Sequence, residues 1–176
     1  MSPGIGRLRS LKVQDVMSRK VIEVSANQTM GEAATALAES DVISAPVIDE
    51  QGRCVGMLSA ADYVKRDCPQ RSEMSQHELT KRGPEDCFKI ETTTDMVSCY
   101  MSTAVQSVAA DESLLRAARA MCAEHIHHLP VLEDGRPIGV VSTMDIVAAL
   151  INAVDEADAQ VKPRDLTEQL DCESEV

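Results

Sequence analysis

Residues 56–62 read GMLSAAD, and residues 139–145 read GVVSTMD. In each, a glycine and two apolar residues run into a serine, and an acid follows three positions later. The correspondence extends outward from this heptad. Residues 15–64 begin DVMSRKVIEVSANQTMGEAATALAES and close APVIDEQGRCVGMLSAADYV; residues 99–147 begin CYMSTAVQSVAADESLLRAARAMCAE and close LPVLEDGRPIGVVSTMDIV. Met17-Ser18 falls on Met101-Ser102, Val24 on Val108, Ala33-Ala34 on Ala117-Ala118, and Pro46-Val47 on Pro130-Val131. A unit of about fifty residues buries too little apolar surface to stand alone, so the two copies are expected to pack on each other. The cleft between two similar halves is then a natural place for a ligand.

Each copy carries the same local signals. Val21 to Val24 and Val105 to Val108 alternate like short strands. Asn27-Gln28-Thr29 and Asp111-Glu112-Ser113 supply polar helix starts, followed by Met30, Ala33, Ala34 and Leu37, or Leu114, Ala118 and Met121, at helical spacing. Strands follow at Ala45 to Ile48 and Cys54 to Leu58, and again at Leu129 to Leu132 and Ile138 to Val141, with helices opening at Ser59 and at Ser142, the latter running to about Ala153. The order is strand, helix, strand, strand, helix, an α/β unit containing a hairpin. The expected organisation is an N-terminal arm (1–14), a first repeat (15–66), a connector (67–96), a second repeat (97–153) and an acidic tail (154–176). The connector is polar, broken by Pro69, Gly83 and Pro84, with a short exposed helix expected over Gln70 to Lys81. Leu8 and Leu11 are expected to dock the arm on the core, and the tail is expected to be mostly disordered.

Bulk composition excludes several classes. A net charge of −12 opposes a polyanionic backbone, and two Tyr, one Phe and no Trp offer no stacking surface, so no nucleic-acid partner is expected. No run of 18 apolar residues exists for a membrane span, and the N-terminus lacks the apolar stretch of a secretory signal. A cytoplasmic location follows as the expectation. The six cysteines have no CxxC spacing and read as small apolar fillers or reduced free thiols. Cys122, His125, His127 and His128 fall on a helix and then a strand, where neighbouring side chains diverge, so no metal site is expected. The chain offers no GxxxxGK[ST], HExxH or GxSxG motif and no convincing nucleophile–base pair, and an enzyme is not expected.

The starts DVMS and YMST, the EAA and RAA helices, the APVID and LPVLE strands and the GMLSAAD and GVVSTMD endings occur in that order twice. They resemble the cystathionine-beta-synthase (CBS) domain family as a tandem pair, over about 100 of the 176 residues. The resemblance implies two repeats packed about a pseudo-two-fold axis. It also implies a regulatory role: an adenine nucleotide (AMP, ADP or ATP, with or without magnesium) held between the repeats, altering inter-repeat or inter-subunit packing that a protein effector reads. With no catalytic or transport domain beside the pair, the chain looks like a stand-alone member. Alanine-rich helix faces at Ala33-Ala34 and Ala117-Ala118 suit close helix contacts and suggest a homodimer, although core packing uses the same residues.

At each heptad a strand ends and a helix begins, so free backbone N–H groups and the helix dipole favour an anion. The resemblance assigns phosphate and ribose contacts to Ser59 and Asp62, and to Ser142, Thr143 and Asp145. A serine followed three residues on by an acid is equally an ordinary helix-start signal. The base is expected between Lys20 to Ile22 and Ile43 to Pro46, or between Thr103 to Val105 and His127 to Pro130. That makes Val21, Ile22, Ile43, Ala45 and Pro46, and Thr103, Val105, His127, His128, Leu129 and Pro130, candidate contacts. His127 and Arg136 are candidate phosphate partners, so the second half looks the better equipped, while Asp41 would repel phosphate in the first. The competing expectation is a nucleotide-independent dimeric adaptor with degenerate pockets.

Overall fold

The computed structural model describes residues 3–67 and 95–160. In chain order the elements are α1 (Pro3–Ser10), a 3-10 turn (Val13–Asp15), β1 (Val24–Ser25), α2 (Met30–Glu39), β2 (Ser44–Ile48), β3 (Cys54–Ser59) and α3 (Ala60–Asp67). Then come α4 (Val97–Tyr100), α5 (Leu114–Glu124), β4 (His128–Glu133), β5 (Arg136–Ser142) and α6 (Thr143–Gln160). The expected helix at Gln70 to Lys81 lies outside the described residues, as do most of the connector and the tail beyond Gln160.

Local chemistry sets these elements. The Thr29 hydroxyl accepts the Glu32 N–H at 3.2 Å while the Glu32 carboxylate accepts the Thr29 N–H at 2.8 Å, a capping box that starts α2. Met30, Ala33 and Leu37 then face inward, as Leu114, Ala117 and Met121 do in α5. The β4–β5 hairpin closes through Asp134 (φ 51°) and Gly135 (φ 78°), both in the left-handed region that a two-residue turn of this twist requires. In the first hairpin the Asp49 carboxylate accepts the Gln51 and Arg53 N–H groups at 2.9 and 2.8 Å.

The sheets are β1-β2-β3, with β1 parallel to β2, and the antiparallel pair β4-β5. The first strand of each repeat is shorter than its alternation suggests. Only Val24 and Ser25 pair in the first copy, and in the second only Val108 bridges, to Val131. The preceding residues turn instead: Val21 N–H donates to the Arg19 carbonyl at 3.1 Å, and Val105 N–H to the Thr103 carbonyl at 2.9 Å. Helix α6 runs past Ala153 to Gln160. Ala153 is buried and Arg7 of α1 pairs with Glu156, so the arm lies along this helix and supports its last turns.

The two copies are interleaved. One core joins Val13 and Met17 to Val108, Leu114, Met121, Leu129, Val131 and Val141 of the second repeat. The other joins Val97 to Val24, Met30, Leu37, Val47 and Leu58 of the first, with Tyr100 and Met101 packed on it. Each repeat's lead-in segment therefore completes the other repeat's core. Backbone bonds seal the exchange: Ser18 N–H donates to the Val140 carbonyl at 2.9 Å and Val140 N–H returns to Ser18 at 3.0 Å. Met57 N–H and Ser102 N–H make the equivalent pair at 3.0 and 2.9 Å. Leu11 packs against the second-repeat core, which anchors the arm. The alanine faces serve these cores, since Ala33 and Ala117 are both fully buried.

Gly56 and Gly139 sit where the lead-ins cross. A Cβ on Gly139 would lie 2.7 Å from Met17 Sδ and 3.0 Å from the Ser18 carbonyl; on Gly56 it would lie 2.5 Å from Met101 Sδ and 3.2 Å from the Ser102 carbonyl. Gly139→Ala is expected to destabilise the fold by about 1–3 kcal/mol through overpacking, lowering the thermal midpoint by roughly 2–4 °C per kcal/mol. Gly31, exposed in α2 with nothing nearer than 4.0 Å, is the control: Gly31→Ala is expected to be neutral or to stabilise. Equal midpoints for Gly139→Ala and the parent in differential scanning calorimetry would contradict the crossing constraint.

Candidate ligand site

Two cavities lie between the interleaved halves. The larger holds about 680 Å³, within the range of small-molecule sites. The smaller holds about 270 Å³. Ile43, Ser44, His128 and Ser142 border both, so one thin wall separates them.

The larger cavity takes Ser59 to Asp62 and Lys65 from the β3–α3 junction, and Ser102, Ala104, Val105 and Gln106 from the second repeat's lead-in. Glu124 to His128 and Ser142 to Met144 close it from the second repeat. The smaller takes Ser18, Lys20 and Ile22 from the first lead-in, Asp41 to Ser44, and Val140, Ser142 and Asp145. Because the lead-ins cross, the first repeat's serine and acid face the second repeat's histidines, and Asp145 faces Asp41. Of the second repeat's grouping, Ser142 stays with His127 on the larger cavity, while Asp145 lines the smaller. His127 and Lys65 line the cavity of Asp62, and Lys20 lines that of Asp145.

Both acids cap their own helices. Asp62 is buried, and its Oδ2 accepts the Ser59 N–H at 2.9 Å and the Ser59 hydroxyl at 3.0 Å, while Oδ1 accepts Lys65 Nζ at 3.1 Å. Asp145 Oδ2 accepts the Ser142 N–H and hydroxyl, both at 2.7 Å. The helix-start reading of the motif is therefore realised, and the same arrangement aims each junction at a cavity. His125 ends α5 in the left-handed region at φ 54°, as Asp41 does after α2 at the same angle. Counting from these residues, Ile43 corresponds to His127 and Ser44 to His128, so the imidazole side chains before the proline strand come from the second repeat alone.

His128, half-buried on the shared wall, is held below the ordinary imidazole value of 6.5, first by burial and next by repulsion from His127, against a raising pull from Asp145. The Ser44 hydroxyl, on the same wall, is buried with no hydrogen-bond partner among the described residues.

Of the sequence candidates, Ser59, Asp62, Ile43, Val105, His127, His128, Ser142 and Thr143 border the larger cavity, and Ile22 and Asp145 the smaller. Ala45, Pro46, Leu129 and Pro130 are core residues of β2 and β4 and border neither. Val21 and Thr103 fall beside the lining segments without joining them. Arg136 is removed from the site: its guanidinium lies against Gly52 of the opposite hairpin, 2.8 Å from where a Cβ would be. Sequence reasoning missed Lys65, which had a legible signal, sitting three residues beyond Asp62 on the same helix face; Ser44 lay inside the expected Ile43 to Pro46 segment without being singled out. Among the described residues no cluster of three or more His, Cys, Asp or Glu groups is placed to hold a metal ion. No described helix is long and apolar enough to cross a membrane.

The CBS domain family profile matches residues 13–67 and 97–152. The CBS domain-containing protein YhcV of Bacillus subtilis is 31% identical over 134 residues, covering 76% of this chain and 81% of its own. Two further curated relatives are longer: the chain spans 32% of the uncharacterized protein MJ1404 of Methanocaldococcus jannaschii, at 27% identity over 140 residues and 80% of this chain. It spans 14% of the A-adding tRNA nucleotidyltransferase of Aquifex aeolicus, at 26% identity over 80% of this chain. Among solved structures, CBSX2 in complex with AMP superposes with a TM-score of 0.63 at 26% identity, over 80% of this chain and 96% of that one. The CBS domain pair of MJ0100, in complex with 5′-methylthioadenosine and S-adenosyl-L-methionine, gives 0.62 at 23% identity, over 81% and 97%. With both repeats matched and the paired architecture shared, this chain belongs to the CBS domain family as a tandem pair.

Proposed function

We propose that this CBS pair is a non-catalytic regulatory module that binds an adenine nucleotide in the larger cavity. The carrying observation is that cavity itself: about 680 Å³ with Ser59 and Asp62 of one repeat facing Val105 and His127 of the other. AMP in CBSX2 and the adenosyl ligands of MJ0100 support the same ligand class here. Asp62 takes the ribose diol. The α3 N-terminus and Thr143 take phosphate, and Ile43, Val105 and Met57 wall the base. The unpartnered Ser44 hydroxyl is free for a polar atom of the ligand. The smaller cavity, with Asp41 and Asp145 on its walls, suits a ligand of less charge or stays empty. A magnesium ion would enter only with a polyphosphate, since it binds mainly through phosphate oxygens and water.

Regulation follows from the position of the cavity. Its walls come from both repeats and from a crossed lead-in, so a ligand bridging them favours one relative packing of the halves. It acts to the extent that its affinity differs between arrangements. The readout proposed is a second copy of the chain or a protein effector. An apolar stripe on α6 is exposed for this purpose: Met144, Val147, Leu150, Ile151 and Val154 are 43–69% accessible. The same stripe favours the second reading, a nucleotide-independent adaptor, because it exists without any ligand. Partner capture unaffected by nucleotide and by loss of Asp62 and Asp145 would select that reading.

Calorimetric titration with AMP and ATP is expected to show binding, with Asp62→Ala weakening it at least about tenfold, or 1.4 kcal/mol. Asp145→Ala is expected to have the smaller effect. Absence of heat with every adenine ligand would remove the proposal. The depressed His128 also has a consequence for stability. Between the ordinary imidazole value of 6.5 and its lower folded value, the unfolded chain binds more protons. Stability is therefore expected to be highest above pH 6.5, to fall as pH drops through it, and to level off below the folded value. His128→Asn should flatten this part of the urea-midpoint profile; superimposable profiles would refute the assignment.

A further inference from the structure

We propose that Lys65 selects the charge class of the ligand: its ammonium group must leave Asp62 when a ribose binds, and only a ligand bearing phosphate gives it a new partner. This rests on the larger cavity being an adenine nucleoside site, and it adds why that nucleoside must be phosphorylated.

The argument is an accounting of acceptors on one carboxylate. An ionised Asp offers about four acceptor positions, two on each oxygen. At Asp62 the Ser59 N–H and hydroxyl occupy Oδ2 at 2.9 and 3.0 Å, and Lys65 Nζ occupies Oδ1 at 3.1 Å. One position remains, whereas the two hydroxyls of a ribose diol present two donors. Ser59 is fixed because its bonds form the helix cap. Lys65 is not: its side chain is 70% exposed while that of Asp62 is 2% exposed, so the pair is held weakly and the lysine end is free to swing. Diol binding therefore displaces the ammonium into a cavity that it already borders.

The other charges there determine what the ammonium meets. Among the lining residues Asp62 and Glu124 are acidic, Lys65 is the one side chain with a permanent positive charge, and His125, His127 and His128 are the remaining titratable groups. A 5′-phosphate then finds Lys65 beside the α3 N-terminus, and lysine binds phosphate well as a mobile point charge. Adenosine and 5′-methylthioadenosine supply no anion; S-adenosyl-L-methionine puts a sulfonium cation at the 5′ position where the phosphate would stand, and its carboxylate lies beyond that cation beside its own ammonium group. The second junction lacks this device, because Ala148 stands three residues beyond Asp145.

The test is calorimetry at pH 8 with AMP, adenosine, 5′-methylthioadenosine and S-adenosyl-L-methionine, on the full chain and on Lys65→Met and Lys65→Arg. The parent is expected to bind AMP at least about tenfold tighter than the three non-phosphorylated ligands, equivalent to 1.4 kcal/mol. Lys65→Met should reduce that ratio to below about threefold, chiefly by weakening AMP, and Lys65→Arg should restore most of it. An unchanged ratio in Lys65→Met would overturn the proposal while leaving the nucleoside site intact. Equal binding of adenosine and AMP by the parent would overturn it without any variant, so a poorly folded Lys65→Met does not shelter it. No binding of any of the four would overturn both this proposal and the site on which it rests.

Discussion

The structure depends on two short antiparallel contacts, Ser18 with Val140 and Ser102 with Met57. Through them the lead-in of each repeat enters the other repeat's core, carrying Val13 and Met17 one way and Val97 the other. Neither half has a complete apolar interior without the other's segment. Gly56 and Gly139 make the approach possible, because a methyl group at either would press on both a methionine sulfur and a backbone carbonyl. The pairing of halves is thus built into the cores themselves rather than added by surface contact.

The cavities are a consequence of that exchange. A lead-in that continued as a strand would cover the sheet edge. Here residues 19–23 and 103–107 turn away after the bridge and leave space beside the opposite strand-to-helix junction. Ser59 and Asp62 meet residues that lie more than forty positions along the chain, among them Val105 and His127. The two similar repeats surround these cavities with unequal charge. Histidines from the second repeat and Lys65 from the first collect around the larger cavity, while Lys20 and His128 share the smaller with Asp41 and Asp145.

Much of this was legible beforehand. The duplication gave the order of elements within each repeat, and the polar starts ending at Thr29 and Ser113 marked the openings of α2 and α5 through local chemistry alone. Ser59, Asp62, Ser142 and Asp145 were found because a repeated motif marks the same junction twice. The shorter first strands were not legible, since alternation in Val21 to Val24 describes a chain that can pair and says nothing about whether a partner edge is available. Arg136 was misplaced for a related reason: charge and proximity in sequence to a site do not fix direction, and β5 carries its first residue to the far hairpin. Helix α6 outran its expected end because α1 covers it, a contact between residues about 150 positions apart.

The sequence by itself determined the duplication, its α/β unit and the residue types at each junction, because these follow from periodicity, capping and turn chemistry acting over a few residues; the order of its motifs carried the resemblance to the CBS family. Which junction faces which set of charges, and that one carboxylate is shared between a helix cap and a lysine, was decided only by tertiary structure. The physical reason is that cross-repeat pairing is selected by burial across distant segments, and two copies with the same motif order leave the sequence pattern indifferent to how they are exchanged.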